Sequence, residues 1–323
     1  MDVDRYRNRC HFRPDYLETS SVTRGNTLKV ACIGEAMIEL SMNEKQTNLG
    51  VAGDTLNTAV YLKRSAPQID VDYITRLGSD PFSARIIAFI KDQKLGTDAI
   101  EISENRHPGL YAITTSGDGE RSFTYWRSQS AAKQLFQSPS GPNLEYLDGY
   151  DALYLSGITL AILPDEICTA LLGYLKQSEH ILAFDSNYRP ALWSSPSKAR
   201  DVMQQFWQRT DIALPSVDDE MLLWDQSEKE VIDRFSALDR DGALKRGASG
   251  PLSLSPIDEE NQSFAPSPRV VDTTAAGDSF NGAYLAARLT GAPQEHALMA
   301  GHRCASYVVQ YRGAIVPYSL SKA

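Results

Sequence analysis

The sequence predicts a doubly wound α/β fold, a mainly parallel sheet with helices on both faces. Short apolar runs alternate with segments of helical periodicity along most of the 323 residues. The runs are close to continuously apolar, as strands covered on both faces must be. No internal repeat interrupts the alternation, and the Ser/Pro clusters Ser194–Ser197 and Ala265–Pro268 are too short to be domain linkers.

The elements follow in order. Lys29–Glu35 reads as a buried first strand ending in a glycine turn at Gly34. Thr55–Lys63 carries Leu56, Ala59, Val60 and Leu62 at helical spacing and leads through Pro67 to a strand over Val71–Gly78. A helix over Pro81–Lys94 places Phe82, Ile86, Phe89 and Ile90 on one face. Further strands are expected at Ala152–Gly157, Ile181–Asp185 and Ile212–Pro215, each followed by a helical stretch, and ligand is expected at the carboxyl ends of the strands. Ser236–Gly242 reads as a loop, and no strongly apolar strand precedes Lys245.

Composition narrows the classes of function. An apolar content of 42% can bury a large core, and a formal net charge of −9 disfavours nucleic acid or an anionic membrane as partner. An anionic substrate must then be met by a few local cations and backbone donors. Cys10, Cys32, Cys168 and Cys304 lie far apart without metal-ligand spacing, so reduced, cytoplasmic thiols are expected. No apolar stretch approaches the ~18 residues of a membrane span, and residues 1–28 read as a polar extension without a secretory signal.

The run Val270–Tyr284 joins a short β segment, a small-residue turn and an amphipathic helix, with a carboxylate at the joint. Phe280, Tyr284, Leu285 and Leu289 recur at helical spacing, and Gly291 with Pro293 supplies the stop. The first turn is expected near Gly277, where open N–H groups and the helix dipole favour an anion. Ala275, Ala276 and Gly277 would let a phosphate approach the backbone, and Asp278 stands where an attacking hydroxyl would lose its proton. The alternative is a plain N-cap by Asp272 or Asp278.

This run resembles the D-T-x-[GA]-A-G-D signature of the PfkB, or ribokinase-like, carbohydrate kinases, with Ala275 for the first glycine, an alanine that enteric-type 2-keto-3-deoxygluconate kinases share. The resemblance implies a ribokinase-like sheet, a small β-sheet lid over the sugar formed near residues 36–50 and 108–127, a single kinase domain over 29–323, and ATP with Mg2+ as cofactors.

Pro108–Thr115 and Arg121–Arg127 read as a β-hairpin around the turn Ser116–Gly119, with Tyr111 and Ile113 on one face and Phe123, Tyr125 and Arg127 on one face of the returning strand. Such a face can cover a polyol and pair with a carboxylate, or it can be core with a snorkelling arginine. The resemblance favours substrate contact, since ketodeoxygluconate kinases place G-L-Y and Y-x-R motifs here. Gly50–Ala59 resembles the family's G-G-x-x-x-N-x-A. It offers Ala52, Gly53, Asp54 and Asn57 to the sugar, against a reading in which Asp54 caps the helix and Asn57 is solvated.

Three more stretches extend the likeness over most of 29–317. Phe184–Trp193 looks like a D-x-N-Y-R-x-x-L-W run in which Arg189 would meet the transferring phosphate or the sugar acid and Asn187 the nucleotide. Lys245–Gly250 resembles the K-R-G-x-x-G nucleotide loop, assigning Lys245, Arg246, Gly247 and Gly250 to ATP, whereas charge alone makes the two cations solvated surface. Gln310–Ala314 resembles the closing segment near the adenine. Ser216–Glu220 stands where many members have N-x-x-E; Ser216 is assigned to the nucleotide and no metal ligand is placed.

The resemblance therefore implies ATP-dependent phosphorylation of 2-keto-3-deoxygluconate at its 6-hydroxyl. Asp278 would be the base, already ionised at pH 7 if its pKa is ordinary, and Ala275–Gly277 would hold the developing charge. Tyr111, Tyr125, Arg127 and Arg189 would select a sugar acid, and the exposed lid is expected to pair two copies. A neutral-sugar kinase of fructokinase or ribokinase type and a catalytically silent sugar-acid sensor remain alternatives.

Overall fold

The computed structural model describes residues 27–42, 47–115, 121–257 and 263–317; most of the 1–28 extension and the Ser116–Gly119 turn lie outside them. In chain order the strands are β1 (Lys29–Ile33), β2 (Met37–Met42), β3 (Thr47–Ala52), β4 (Asp70–Ile74), β5 (Arg76–Leu77), β6 (Glu101–Ile102), β7 (Gly109–Thr115), β8 (Arg121–Trp126), β9 (Gln137–Ser138), β10 (Gly141–Pro142), β11 (Ala152–Ser156), β12 (Ile181–Asp185), β13 (Ile212–Leu214), β14 (Asp241–Leu244) and β15 (Leu252–Ser253). The helices are α1 (Asp54–Ser65), α2 (Pro81–Asp92), α3 (Gly157–Ile162), α4 (Asp165–Gln177), α5 (Pro196–Arg209), α6 (Val217–Trp224), α7 (Glu228–Ala237), α8 (Ala276–Leu289) and α9 (Gln294–Val308).

Seven strands form the main sheet in the order β15-β14-β13-β12-β11-β1-β4, parallel throughout except for β15. Alternation along β1 shows why it is covered on both sides. Val30 and Cys32 join one core with Leu56, Val60, Ile86, Ile90, Phe280 and Tyr284, whereas Ala31 and Ile33 join another with Leu171, Met203, Phe206, Val231 and Phe235. The doubly wound expectation therefore holds. The chain leaves β1 toward β4 on one side and returns to β11 on the other, so strand order reverses at β1. A crevice opens there at the carboxyl ends of the strands.

The smaller sheet, in the order β3-β2-β7-β8, is built from residues 37–52 and 109–126, with β2 and β7 parallel and the outer pairs antiparallel. Met37, Ala52, Tyr111 and Ile113 form its own apolar cluster. This is the lid the resemblance implied.

Three expectations need correction. The strand expected over Val71–Gly78 is broken at Thr75 into β4 and β5, which belong to different sheets. Val270–Asp272 is not a strand: the N–H groups of Val271 and Asp272 both donate to the carbonyl of Val309, at 2.7 and 3.2 Å, leaving no ladder to join. Ser236–Gly242 is not a loop throughout, since α7 runs to Ala237 and β14 begins at Asp241 inside the main sheet. Asp-Gly reads as a turn because a carboxylate and a flexible residue rarely sit in a buried strand. Here Asp241 is satisfied by Arg288, at 2.5 Å, and by the Ser255 hydroxyl, at 2.7 Å. Gly242 has φ +146°, and a Cβ there would lie 1.9 Å from the carbonyl oxygen of Ala213. An apolar strand signal was absent because ion pairing replaces part of the apolar packing.

Helices α1 and α8 cross closely. A Cβ on Gly282 would lie 2.6 Å from the carbonyl of Thr58, so only glycine permits the approach that brings Asn57 against the first turn of α8.

Candidate active site

The crevice gathers residues from many separate stretches of the chain. Helix α8 begins at Ala276, one residue before the expected Gly277, and its N-cap residue Ala275 is left-handed at φ 59° with no side-chain cap bond. Neither Asp272 nor Asp278 is therefore the cap. Asp272 instead orders the turn. One oxygen accepts from the Thr274 N–H at 3.0 Å and its hydroxyl at 2.7 Å, and the other accepts from the N–H of Gly313 at 2.9 Å, which ties Gln310–Ala314 to this turn. The N–H of Ala276 donates to Thr273 at 3.1 Å and is engaged, while those of Ala275 and Gly277 have no hydrogen-bond partner among the described residues. Two open amides at the positive end of a helix dipole are suited to an anion.

Asp278 faces the crevice from the first turn and accepts a 2.8 Å hydrogen bond from Nδ2 of Asn57. Surrounding protein desolvates it, with Asp54 the next largest influence, and together they push its carboxyl up to about 8. The condition for an Asp278 already ionised at pH 7, an ordinary carboxylate pKa, is therefore not met here. Asp54 does not cap α1, whose N-cap residue is Gly53 without a side-chain bond. It accepts from Ser156 Oγ at 2.5 Å and from Asn187 Nδ2 at 2.7 Å, while Asn57 is buried rather than solvated. Gly53 is required by packing, since a Cβ would lie 2.4 Å from the carbonyl of Glu35. Ala52 is buried in the lid cluster.

At the start of the 245–250 loop, Lys245 is not solvated surface. It lies 2.8 Å from Asp185, donates to Asn281 Oδ1 at 3.0 Å, and Asn281 in turn donates to the other oxygen of Asp185 at 2.7 Å. Its Nζ is 3.8 Å from where a Cβ on Gly277 would stand, so the cation underlies the anion-binding turn. Arg246 turns away, donating to the Gly250 carbonyl at 3.2 Å and lying 3.6 Å from Glu228. Gly247–Ser249 forms a single 3-10 turn. Ser216 donates its N–H to Ser186 and pairs through the backbone with Lys245. Arg189, half exposed, donates to Asp219 at 3.0 Å and to the carbonyl of Tyr188 at 2.7 Å.

The lid presents aromatic rings. Tyr111 stacks on Tyr125 at 5.7 Å between ring centroids and meets Phe123 at a tilt at 6.5 Å, and Tyr125 is 53% exposed, which a core residue would not be. The hydroxyl of Tyr111 donates to Glu39, and Arg127 forms an ion pair with the buried Glu35. Glu35, Glu39, Ser156 and Asn281 escaped sequence reasoning. Glu35 left one signal, a charged residue next to the glycine that ends a buried strand.

Among the described residues no group of three His, Cys, Asp or Glu forms a ready metal site. No helix among them is long and apolar enough to cross a membrane.

Comparison with known proteins agrees with this architecture. The pfkB family of carbohydrate kinases matches residues 27–320. A 2-dehydro-3-deoxygluconokinase of Escherichia coli K12 is 43% identical over 300 residues, covering 90% of this chain and 97% of that protein. One from Haemophilus influenzae is 38% identical, with coverages of 89% and 95%. Among solved structures, a 2-dehydro-3-deoxygluconokinase from Thermotoga maritima aligns with a TM-score of 0.77 at 20% identity, over 92% of this chain and 97% of that one. A putative ribokinase II from E. coli in complex with ATP and Mg2+ aligns at 0.73 and 21%, over 90% and 94%. A match over nearly the whole chain, on a ribokinase-like sheet with a lid and a carboxylate at a helix N-terminus, makes this chain a member of the pfkB family of carbohydrate kinases.

Proposed function

We propose that the protein transfers the terminal phosphoryl group of ATP to the 6-hydroxyl of 2-dehydro-3-deoxygluconate, with Asp278 as general base. The observation that carries this reading is the placement of Asp278 in the first turn of α8, held by Asn57 and beside open backbone N–H groups. In its ionised form Asp278 would take the hydroxyl proton while the amides of Ala275 and Gly277, with the helix dipole and nearby Lys245, stabilise charge on the transferring group. Tyr111 and Tyr125 would cover the sugar, and Arg127 would meet its carboxylate. Arg189, shortly past β12, would meet phosphate or carboxylate, and the 245–250 loop would border the nucleotide.

The residues present fit an Mg2+ ion that travels with ATP, because magnesium is commonly held by phosphates, waters and only one or two carboxylates. Asp219, on the first turn of α6 and paired with Arg189, would be a carboxylate for its water shell, and the ion would neutralise phosphate charge.

One observation favours a neutral sugar instead: Arg127 is already charge-balanced by Glu35. ADP release with Mg-ATP and 2-dehydro-3-deoxygluconate, fructose or ribose separates the readings. Turnover with the sugar acid alone, and a KM for it raised about 10- to 100-fold by Arg127→Ala, is the expected result. Turnover of fructose or ribose with KM indifferent to Arg127→Ala would establish the neutral-sugar kinase. ATP binding without turnover of any sugar would leave a sensor.

A further inference from the structure

Glu35 and Arg127 join the lid to the main sheet. Glu35 stands just past β1, after Gly34, and is 1% exposed, and Arg127 directly follows β8, the last lid strand. In their ion pair Glu35 is fully buried and Arg127 largely so. The pair is also incomplete. Oε1 of Glu35 and Nε of Arg127 are buried without a hydrogen bond of good geometry, the Ser130 hydroxyl being the polar group at hand for the carboxyl. The turn holding Glu35 packs on the turn that leads into Asp54, as the close approach of Gly53 to the Glu35 carbonyl shows.

This arrangement has a charge problem once a sugar acid arrives. A single buried guanidinium would face two carboxylates, with Asp54 adding a third negative charge from α1. Of the other groups recorded beside this pair, Ser130 brings only a hydroxyl, while Tyr111 of the lid is committed to Glu39. Burial already pushes the Glu35 carboxyl above the usual range, against the pull of Arg127. Of the three carboxyl groups, Glu35 has the orphan oxygen on which a proton can reside.

We propose that Glu35 is the counter-ion Arg127 relinquishes when it takes the carboxylate of the sugar acid, and that Glu35 receives a proton from solvent in the same event. Glu35 is then a positioning residue that keeps the lid arginine ordered and neutralised in the empty site, and binding of the acid is linked to proton uptake. The inference rests on the proposed reading that Arg127 meets a carboxylate.

The test is calorimetric titration of 2-dehydro-3-deoxygluconate into the full-length Asp278→Asn variant, repeated in two buffers of different ionisation enthalpy near pH 7. That background removes the other carboxyl whose protonation sugar binding would disturb, and prevents turnover. The expected result is net proton uptake that disappears in Asp278→Asn/Glu35→Gln, where the sugar acid also binds several-fold tighter because the guanidinium no longer has an anionic competitor. Binding to Asp278→Asn without proton uptake overturns the proposal, and this arm decides even if the double variant does not fold. Uptake unchanged in the double variant, or weaker binding there, also overturns it and leaves Glu35 as a mere prop. No binding of the acid to folded Asp278→Asn or wild-type protein would instead remove the sugar-acid reading beneath it.

Discussion

The proposed sugar side and the proposed nucleotide side of the crevice are built differently. On the sugar side the side chains satisfy one another across large sequence separations: Asp54 with Ser156 and Asn187, Asp278 with Asn57, Arg127 with Glu35, and Tyr111 with Glu39. On the nucleotide side the backbone dominates, with open amides at the start of α8 and a short 3-10 turn at Gly247. One buried cation, Lys245, lies beneath, and Arg189 and Arg246 are pinned only loosely at the rim. Backbone and dipole suit phosphates, whose charge is diffuse, whereas a sugar must be told from its isomers by directed hydrogen bonds. Residues on the sugar side should therefore control turnover and selectivity, and buried Lys245 should control stability.

The largest effect expected is on catalysis. Asp278→Asn preserves shape and the neighbourhood of Asn57 but cannot take a proton, so steady-state assays should show kcat reduced about 100- to 10,000-fold. Retention of more than a tenth of kcat would mean the carboxylate is not the base.

Next comes the contrast between two adjacent cations. Lys245→Ala leaves the buried Asp185 without its counter-ion and should destabilise the fold by about 3–5 kcal/mol in urea denaturation. Arg246→Ala removes only a loose rim contact and should cost less than about 1 kcal/mol. Equal losses would contradict the division between a buried and a rim cation.

The smallest effect concerns the α8 turn. Ala275 adopts a left-handed conformation that costs a non-glycine residue about 1–2 kcal/mol, while glycine gains about 0.5–1 kcal/mol of unfolded-state entropy. Ala275→Gly should therefore change stability by about 1 kcal/mol or less, with kcat preserved. A large loss would show that the methyl group packs against something the turn needs.

How much of this was legible depends on whether a residue's partner is near in sequence. The main sheet was, because both faces of each strand are buried and the apolar runs say so. The α8 turn was, because its small residues and carboxylate are contiguous. Strand β14 was not: Asp241 is neutralised by Arg288, 47 residues on, and Gly242 answers to the backbone of another strand. Glu35 and Asn281 were missed for the same reason. Nor was the raised pKa of Asp278 legible, because it is set by burial and by Asp54, which is far away in the chain.

That shift is also the most direct route to the central claim. A carboxyl near 8 in the free protein is neutral below that value, so the base is competent only as pH rises through it. Stability runs the other way. A group whose folded pKa lies above its unfolded value favours the fold at low pH, and that contribution is lost as pH rises from about 4 toward 8. The decisive measurement is kcat/KM for 2-dehydro-3-deoxygluconate between pH 5.5 and 9, with saturating Mg-ATP, in wild type and Asp278→Asn. A tenfold rise per pH unit that levels off near 8, absent from the variant, is the predicted result. A profile flat across the range in wild type, or the same limb in both proteins, would contradict the assignment of Asp278 as a desolvated general base.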